Sequence, residues 1–320
     1  MRVFRGEIRH PIDLLAFGPG ERLAAAVFGR GNVDVWDCVT GHLADPWRAV
    51  SASGLELAVR DVGFLADGRV VGCVSGQPLQ VFDPNSTENS GIVFPTDTNG
   101  SVLGSAMRSA VAAHTVFSAH SDGKAHSPCL VCRRLNGHRF EVVWKTAAGP
   151  FLTNLTVSRD GNLLAAVELI EDLVLPDRSS PAIVVRSGKT GDRLRRIPVN
   201  TQPWTDRDRL KLSPDGSRLA ACRPSGIHGW ETLDGKALGN LYPDDNRRPY
   251  TDVVFHPSGR WFLTCGDDAK VRVWDADSYT EVAGFSWGLG RLRAVAISDD
   301  GTLAAAGSEN GEIVVWDLDL

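Results

Sequence analysis

The chain is 320 residues long, 42% hydrophobic and 23% charged, with a formal net charge of -5. That balance fits a soluble globular protein with a large core in one or two domains, and it argues against a disordered chain or a broadly basic nucleic-acid binder. The opening MRVFRGEIRH lacks the apolar run of a secretory signal, and no stretch approaches the roughly 18 apolar residues of a membrane helix. The expectation is a cytoplasmic protein, with neither nucleic acid nor membrane as partner and with free thiols at Cys38, Cys73, Cys129, Cys132, Cys222 and Cys265.

From the N-terminus, RVFRGEI at residues 2–8 reads as a short strand with no partner of its own. Seven related segments follow: VDVWDCVTGH, LQVFDPNSTE, CLVCRRLNGH, IVVRSGKTGD, IHGWETLDGK, VRVWDADSYT and IVVWDLDL. Their aligned positions are Trp36, Phe82, Cys132, Arg186, Trp230, Trp274 and Trp316, separated by 46, 50, 54, 44, 44 and 42 residues. A second block with a turn glycine precedes most of them, at Gly20, Gly68, Gly161, Gly216, Gly259 and Gly301. One interval of 93 residues, between Gly68 and Gly161, marks a third unit that has lost this turn. Turns of the P-D-G and D-D-G kind between short β-rich runs leave no room for helices, so the expected class is all-β. Alanines at 24, 25, 165, 166, 220, 221, 305 and 306 recur just after the glycine turns, where they would let neighbouring sheets approach closely.

These segments resemble the WD-repeat β-propeller family, whose units run about 40–45 residues with four strands each and a Trp-Asp ending. The resemblance covers essentially the whole chain and implies a single domain over residues 1–320, a seven-bladed β-propeller of four-stranded antiparallel sheets. The last unit stops after its third strand, and the N-terminal strand 2–8 is expected to complete that blade, as is common in the family. The aspartate after each tryptophan then belongs to a turn. Family members often carry a Gly-His before the first strand and an Asp six residues before the tryptophan, joined in a hydrogen-bond network. Here Asp268 holds that place before Trp274, but Arg30, Pro224 and Asn310 hold the equivalents, and the Gly-His pairs at 41–42 and 137–138 follow the third strand. Apolar packing is therefore expected to hold the blades together.

Motifs for chemistry are sparse. Gly284-Phe285-Ser286-Trp287-Gly288 matches the nucleophile pattern G-x-S-x-G, yet a turn and another strand follow it instead of a helix. Cys129 and Cys132 form a lone C-x-x-C near His126 and His138, but on a strand residues i and i+3 point to opposite faces and cannot share one ion. The expectation is no enzyme activity, no cofactor and no metal.

Candidate contact residues fall in two places. The third and fourth units carry long connections at 118–128 and 168–181; the two would together raise a rim, with Ile170, Glu171, Asp172 and Leu173 from the second, or be insertions without a role. Charges and aromatics also gather where first strands begin, at Arg60, Asp61, Arg207, Arg209, Tyr250, Asp252, Arg291 and Arg293. They would ring the mouth of the channel, either to recognise a peptide or polar molecule or to pair among themselves. Trp204 either anchors an interface or packs on the neighbouring blade. The reading is a non-catalytic scaffold that binds a protein or peptide through the narrow face of the propeller, formed by the loops before the first strands and those between the second and third. The alternative is a small polar ligand or metal in the channel, with or without hydrolysis. Oligomeric state stays open, with a monomer favoured.

Overall fold

The computed structural model describes residues 1–5, 10–26, 30–44, 47–49, 57–74, 77–85, 92–94, 106–120, 128–136, 139–149, 151–171, 179–199, 204–205, 207–242 and 250–319. Among them there are strands and turns and no helix. After β1 (Arg2–Arg5), blade 1 is β2 (Leu14–Gly18), β3 (Arg22–Ala26), β4 (Asn32–Asp37) and β5 (Trp47–Arg48). Blade 2 is β6 (Val59–Phe64), β7 (Val70–Val74), β8 (Leu79–Phe82) and β9 (Ile92–Phe94). Blade 3 is β10 (Ala106–Ala112), β11 (Thr115–His120), β12 (Cys129–Asn136) and β13 (Arg139–Ala147). Blade 4 is β14 (Leu152–Val157), β15 (Leu163–Glu171), β16 (Ser179–Ser187) and β17 (Arg193–Pro198). Blade 5 is β18 (Arg209–Leu212), β19 (Arg218–Arg223), β20 (Gly226–Glu231) and β21 (Ala237–Leu241). Blade 6 is β22 (Asp252–Phe255), β23 (Trp261–Cys265), β24 (Lys270–Asp275) and β25 (Glu281–Ser286). The seventh sheet holds β26 (Leu292–Ile297), β27 (Leu303–Ser308) and β28 (Glu312–Asp317), with β1 as its outer strand.

Six sheets are four-stranded antiparallel meanders, the seventh has the same antiparallel layout with β1 in the outer place, and the first strands neighbour one another in the order β2, β6, β10, β14, β18, β22, β26 and back to β2. The seven sheets thus form a closed ring, a β-propeller. β1 pairs with β28 from Arg2 opposite Val315 to Arg5 opposite Glu312, so an N-terminal strand does complete the last blade. Phe4 carries this join into the core, packing with Ile12, Leu23, Trp36 and Ile313. The third unit, whose turn signal is missing, is nevertheless a full blade. Its β10–β11 connection has shrunk to Ala113 and His114, with Ala113 in the left-handed region that glycine fills in the other units. All six turn glycines have positive φ, from 67° at Gly20 to 88° at Gly68.

One apolar cluster fills each seam between blades. The recurring alanines lie there fully buried, as their position after the turns implies. Polar support within blades is uneven, and the register explains why. Leu23, Leu219, Phe262 and Ala304 pair with the tryptophans of their blades. Two residues further along stand Ala25, Ala221, Thr264 and Ala306. Of these, Thr264 alone carries a hydroxyl, and Trp274 Nε1 donates to it at 2.9 Å. Asp268 pairs with Arg272 instead of joining a histidine. In blade 7, Trp316 Nε1 is buried with no acceptor among the described residues.

The aspartate after the tryptophan is a turn cap. Asp275 Oδ1 accepts from the backbone of Asp277 and Ser278 at 3.1 and 2.9 Å, and Asp37 accepts from Val39 and Thr40 at 2.9 and 2.8 Å. A second set of caps closes the turns between first and second strands. Ser158, Ser213 and Ser298 each donate to the aspartate two residues on, at 2.6 Å. The carboxyls of Asp37 and Asp275 are held below their ordinary value first by the backbone donors of Thr40 and Ser278 respectively, and that of Asp300 by the hydroxyl of Ser298. At Asp160 and Asp215 burial pushes upward, and hydrogen bonds from the serines and following residues overcome it.

Two outcomes are expected. Thr264→Val removes the acceptor of a buried indole N–H and should cost about 1–3 kcal/mol, read as a melting temperature lowered by several degrees, while Thr264→Ser keeps most of the stability. Equal melting of both variants would contradict the role given to the hydroxyl. The capping carboxyls ionise more readily folded than unfolded, so their contribution is complete above the ordinary Asp value of 3.8 and fades as pH falls through the lower folded values. Acid titration of Asp215→Ala with Asp300→Ala should therefore show lower stability near neutral pH and a shallower decline below about pH 4 than the parent.

Candidate partner-binding face

First strands begin on the face that also carries the turns between second and third strands. Part of the charge gathered there serves the ring itself. Asp61 Oδ2 accepts from Ser109 N of blade 3 at 3.1 Å, and Asp252 Oδ2 accepts from Val295 N of blade 7 at 3.1 Å. Thr251 Oγ1 donates to the Leu292 carbonyl at 2.8 Å, and Leu212 N donates to Thr156 Oγ1 at 3.1 Å. These side chains stitch neighbouring first strands together where no backbone ladder joins them. Burial raises the Asp61 carboxyl above its ordinary value, against the pull of Arg108, the Ser109 amide, Lys211 and Arg209. Asp61 and Asp252, placed by sequence among the recognition residues, thus have structural partners.

A depression of about 250 Å³ opens among blades 5, 6, 7 and 1, lined by Pro11, Asp13, Arg207, Arg209, Cys222, Arg223, Pro224, Tyr250, Thr251 and Arg293. Arg209 Nη2 donates to the Asp13 carbonyl at 3.2 Å, and its Nε lies 3.9 Å from Asp252. Arg223 lies over the Trp204 ring with 4.6 Å to the centroid, and its Nε is 4.0 Å from Asp208. Burial lowers its pKa, opposed by the Asp208 carboxylate. Arg293 reaches Asp267 at 3.4 Å and Glu309 at 3.9 Å. Arg207 is exposed at the edge.

The other predicted residues have varied places. Trp204 is only 5% exposed and packs in the seam between blades 4 and 5 with Ile197, Val199 and Leu210, so its indole supports the face from below instead of meeting a partner. Tyr250 is 9% exposed, edge-on to Trp274, and lines the depression. Arg60 lies part-buried on β6, away from the depression, and Arg291 is exposed just before β26. Ile170 and Glu171 belong to β15, opposite Ser180 and Ser179, so the supposed loop is partly strand; Asp172 and Leu173 lie outside the described residues. The depression and this candidate rim sit on different blades. Sequence reading missed Arg223 and Asp13. Arg223 ends a second strand, and its repeat equivalents are Val74, Glu168, Gly266 and Ser308, too varied to draw notice.

Glu168, the first residue of the connection expected at 168–181, is fully buried on β15. Arg186, at the position where other blades carry tryptophan, donates to it from Nε at 3.1 Å and from Nη2 at 3.0 and 3.1 Å. Gly149 N adds a bond to Oε2 at 2.9 Å. Blade 4 therefore replaces an indole with a buried ion pair. In blade 3, Arg133 Nη1 donates to Ser118 Oγ at 2.7 Å, and Ser118 lies 2.8 Å from His120 Nε2.

The channel is a second cavity of about 540 Å³, lined by first strands of all seven blades, with Asp61, Ser109, Thr156 and Lys211 among apolar neighbours. Among the described residues no group of three or more His, Cys, Asp or Glu is placed to hold a metal ion. Cys129 and Cys132 share β12 but belong to different apolar clusters, and burial raises the Cys132 thiol to about 11. Ser286 lies on the outer strand β25, where its hydroxyl donates to the Ala269 carbonyl at 3.2 Å.

A ring of seven four-stranded antiparallel sheets defines a β-propeller. The family model described as WD domain, G-beta repeat matches residues 244–275 and 288–317. The β-propeller thus carries WD repeats, matched by the family model in its sixth and seventh blades. It is 30% identical over 89 residues to Pre-mRNA-processing factor 19 homolog 2 of Arabidopsis thaliana, covering 28% of this chain and 17% of that protein. To Target of rapamycin complex subunit LST8 of Mus musculus it is 26% identical over 110 residues, 34% of each chain. The matches thus span about a third or less of these relatives' lengths. A chain in a crystal structure of the mitotic checkpoint complex superposes with a TM-score of 0.71 at 14% identity, covering 99% of this chain and 91% of that one, a likeness of fold.

Removing one partner of the blade 4 pair isolates its role. Glu168→Ala leaves a buried guanidinium without its carboxylate and should cost about 3–5 kcal/mol, whereas Glu168→Met with Arg186→Leu should recover most of that loss. Thermal unfolding of both variants checks this, and a double variant as unstable as the single one would contradict it.

Proposed function

We propose that this protein is a non-catalytic scaffold that holds a partner protein through the narrow face, the face on which first strands begin. The observation that carries the reading is the arginine-lined depression, a concave contact point on a rigid ring. Arg209, Arg223 and Arg293 stand on β18, β19 and β26, so rigid sheets present these groups at little ordering cost. The relatives' names support the class, because one is a subunit of a named complex and the structural neighbour comes from another.

The cysteines allow a direct test. All six are buried, and burial raises the thiols of Cys38 and Cys132 to about 12 and 11, so they resist alkylation at neutral pH. A single exposed thiol introduced by Arg291→Cys on the narrow face, or by Lys189→Cys on the opposite face, accepts a bulky maleimide polymer. The modified Arg291→Cys protein is expected to lose co-purifying partners about tenfold or more while the modified Lys189→Cys protein retains them. Equal retention by both, or loss only at position 189, would overturn the reading.

A further inference from the structure

We propose that the depression among blades 5, 6, 7 and 1 receives one acidic side chain of the partner polypeptide, a carboxylate or a phosphorylated residue, gripped by Arg207, Arg209, Arg223 and Arg293. This rests on the narrow-face reading and names the chemistry of its partner. Among the described residues, four of the ten that line it are arginines, none is lysine, and Asp13 is the one acid. Planar guanidinium forks suit the paired oxygens of carboxylate and phosphate, where an ammonium would act as a point charge.

Acids lie within 4.0 Å of three of these arginines, and those beside Arg209 and Arg223 are buried. Asp252 is nearly buried and accepts from the backbone of Val253 at 2.9 Å and of Val295 at 3.1 Å, so its contact with Arg209 is a long 3.9 Å. Asp208 accepts from Thr205 N at 2.5 Å and from Thr205 Oγ1 at 3.2 Å, and stands 4.0 Å from Arg223. Asp267 and Glu309 flank Arg293 at 3.4 and 3.9 Å. These neighbours hold the guanidinium groups in place before a ligand arrives, and the Trp204 ring braces Arg223 from one side. An incoming oxyanion then meets ordered donors and orders few side chains on binding.

Size selects among oxyanion carriers. Pockets for small molecules and cofactors run about 300–1,000 Å³, and this one holds about 250 Å³. That volume suits a single side chain presented by a polypeptide lying across the face. Arg207, exposed at the edge, meets the approaching chain first, and the net charge of -5 makes this patch a local exception on an acidic protein.

The test uses the full chain and immobilised peptide pools with randomised flanks and a fixed central residue: Asp, Glu, phosphoserine, Ser or Lys. Acid-centred pools are expected to retain the protein at least about tenfold better than Ser or Lys pools, the scale of one charge-assisted hydrogen bond. The preference should fall toward unity in Arg207→Glu and in Arg293→Gln and persist in Lys189→Glu. The ranking of phosphoserine against Asp and Glu separates the two sources of charge. Equal retention of all pools, or a preference unchanged in both arginine variants, overturns the proposal. Free inorganic phosphate that displaces no peptide at millimolar concentration would also count against an oxyanion grip. If the polymer at position 291 blocks partner binding but the pools show no acid preference, this inference fails and the narrow-face reading stands. Acid preference lost in Arg207→Glu with partner binding indifferent to the polymer gives the reverse.

Discussion

Closure of the ring is the constraint on which everything else rests. Each sheet is sandwiched between two others, so both of its faces must be apolar and the seam volume is set by its smallest residues. Buried alanines at 24, 25, 220, 221, 305 and 306 bring second strands close to the neighbouring sheet, and one apolar cluster fills every seam. A ring of this kind tolerates no open sheet within it, which is why β1 must pair with β28 and carry Phe4 inward. Blades then differ in how they satisfy the position beside the central ladder: an indole bonded to Thr264 in blade 6, an indole without a described acceptor in blade 7, and an arginine–glutamate pair in blade 4.

The ring uses part of its charge to hold itself together. First strands of neighbouring blades share no backbone ladder, and Asp61, Asp252, Thr156 and Thr251 bridge that gap with bonds to the next strand's backbone. Those acids are thereby drawn into the wall. Arginines of blades 5 and 7 line the depression and lie within 4.0 Å of Asp208, Asp252 and Asp267. Asp252 does both, accepting from Val295 N of blade 7 and lying 3.9 Å from Arg209.

Sequence alone carried much of this architecture because the repeat is a physical necessity. The turn glycines mark positive φ, the tryptophans mark third strands, and the unpartnered segment at the N-terminus points to blade closure. The third unit hid its first turn because Ala113 and His114 replace the longer glycine turn, leaving no glycine to find. At the site, Arg207, Arg209, Tyr250 and Arg293 were visible as charged or aromatic residues at first-strand starts. Arg223 was not, since it comes from the far end of a second strand and only the fold brings it beside them. Exposure was the least legible property: of the two readings of Trp204 the packing one holds, and Glu168, at the start of a long connection, is core, because Arg223 covers one and Arg186 pairs with the other.

Amide hydrogen exchange of the protein alone and bound to its partner tests the central claim most directly. Slowed exchange on binding is expected at residues 207–210, 222–227 and 250–253 and at the start of β26, with the outer strands β13 and β17 unchanged. Protection confined to those outer strands, with the narrow face exchanging as in the free protein, would contradict the account.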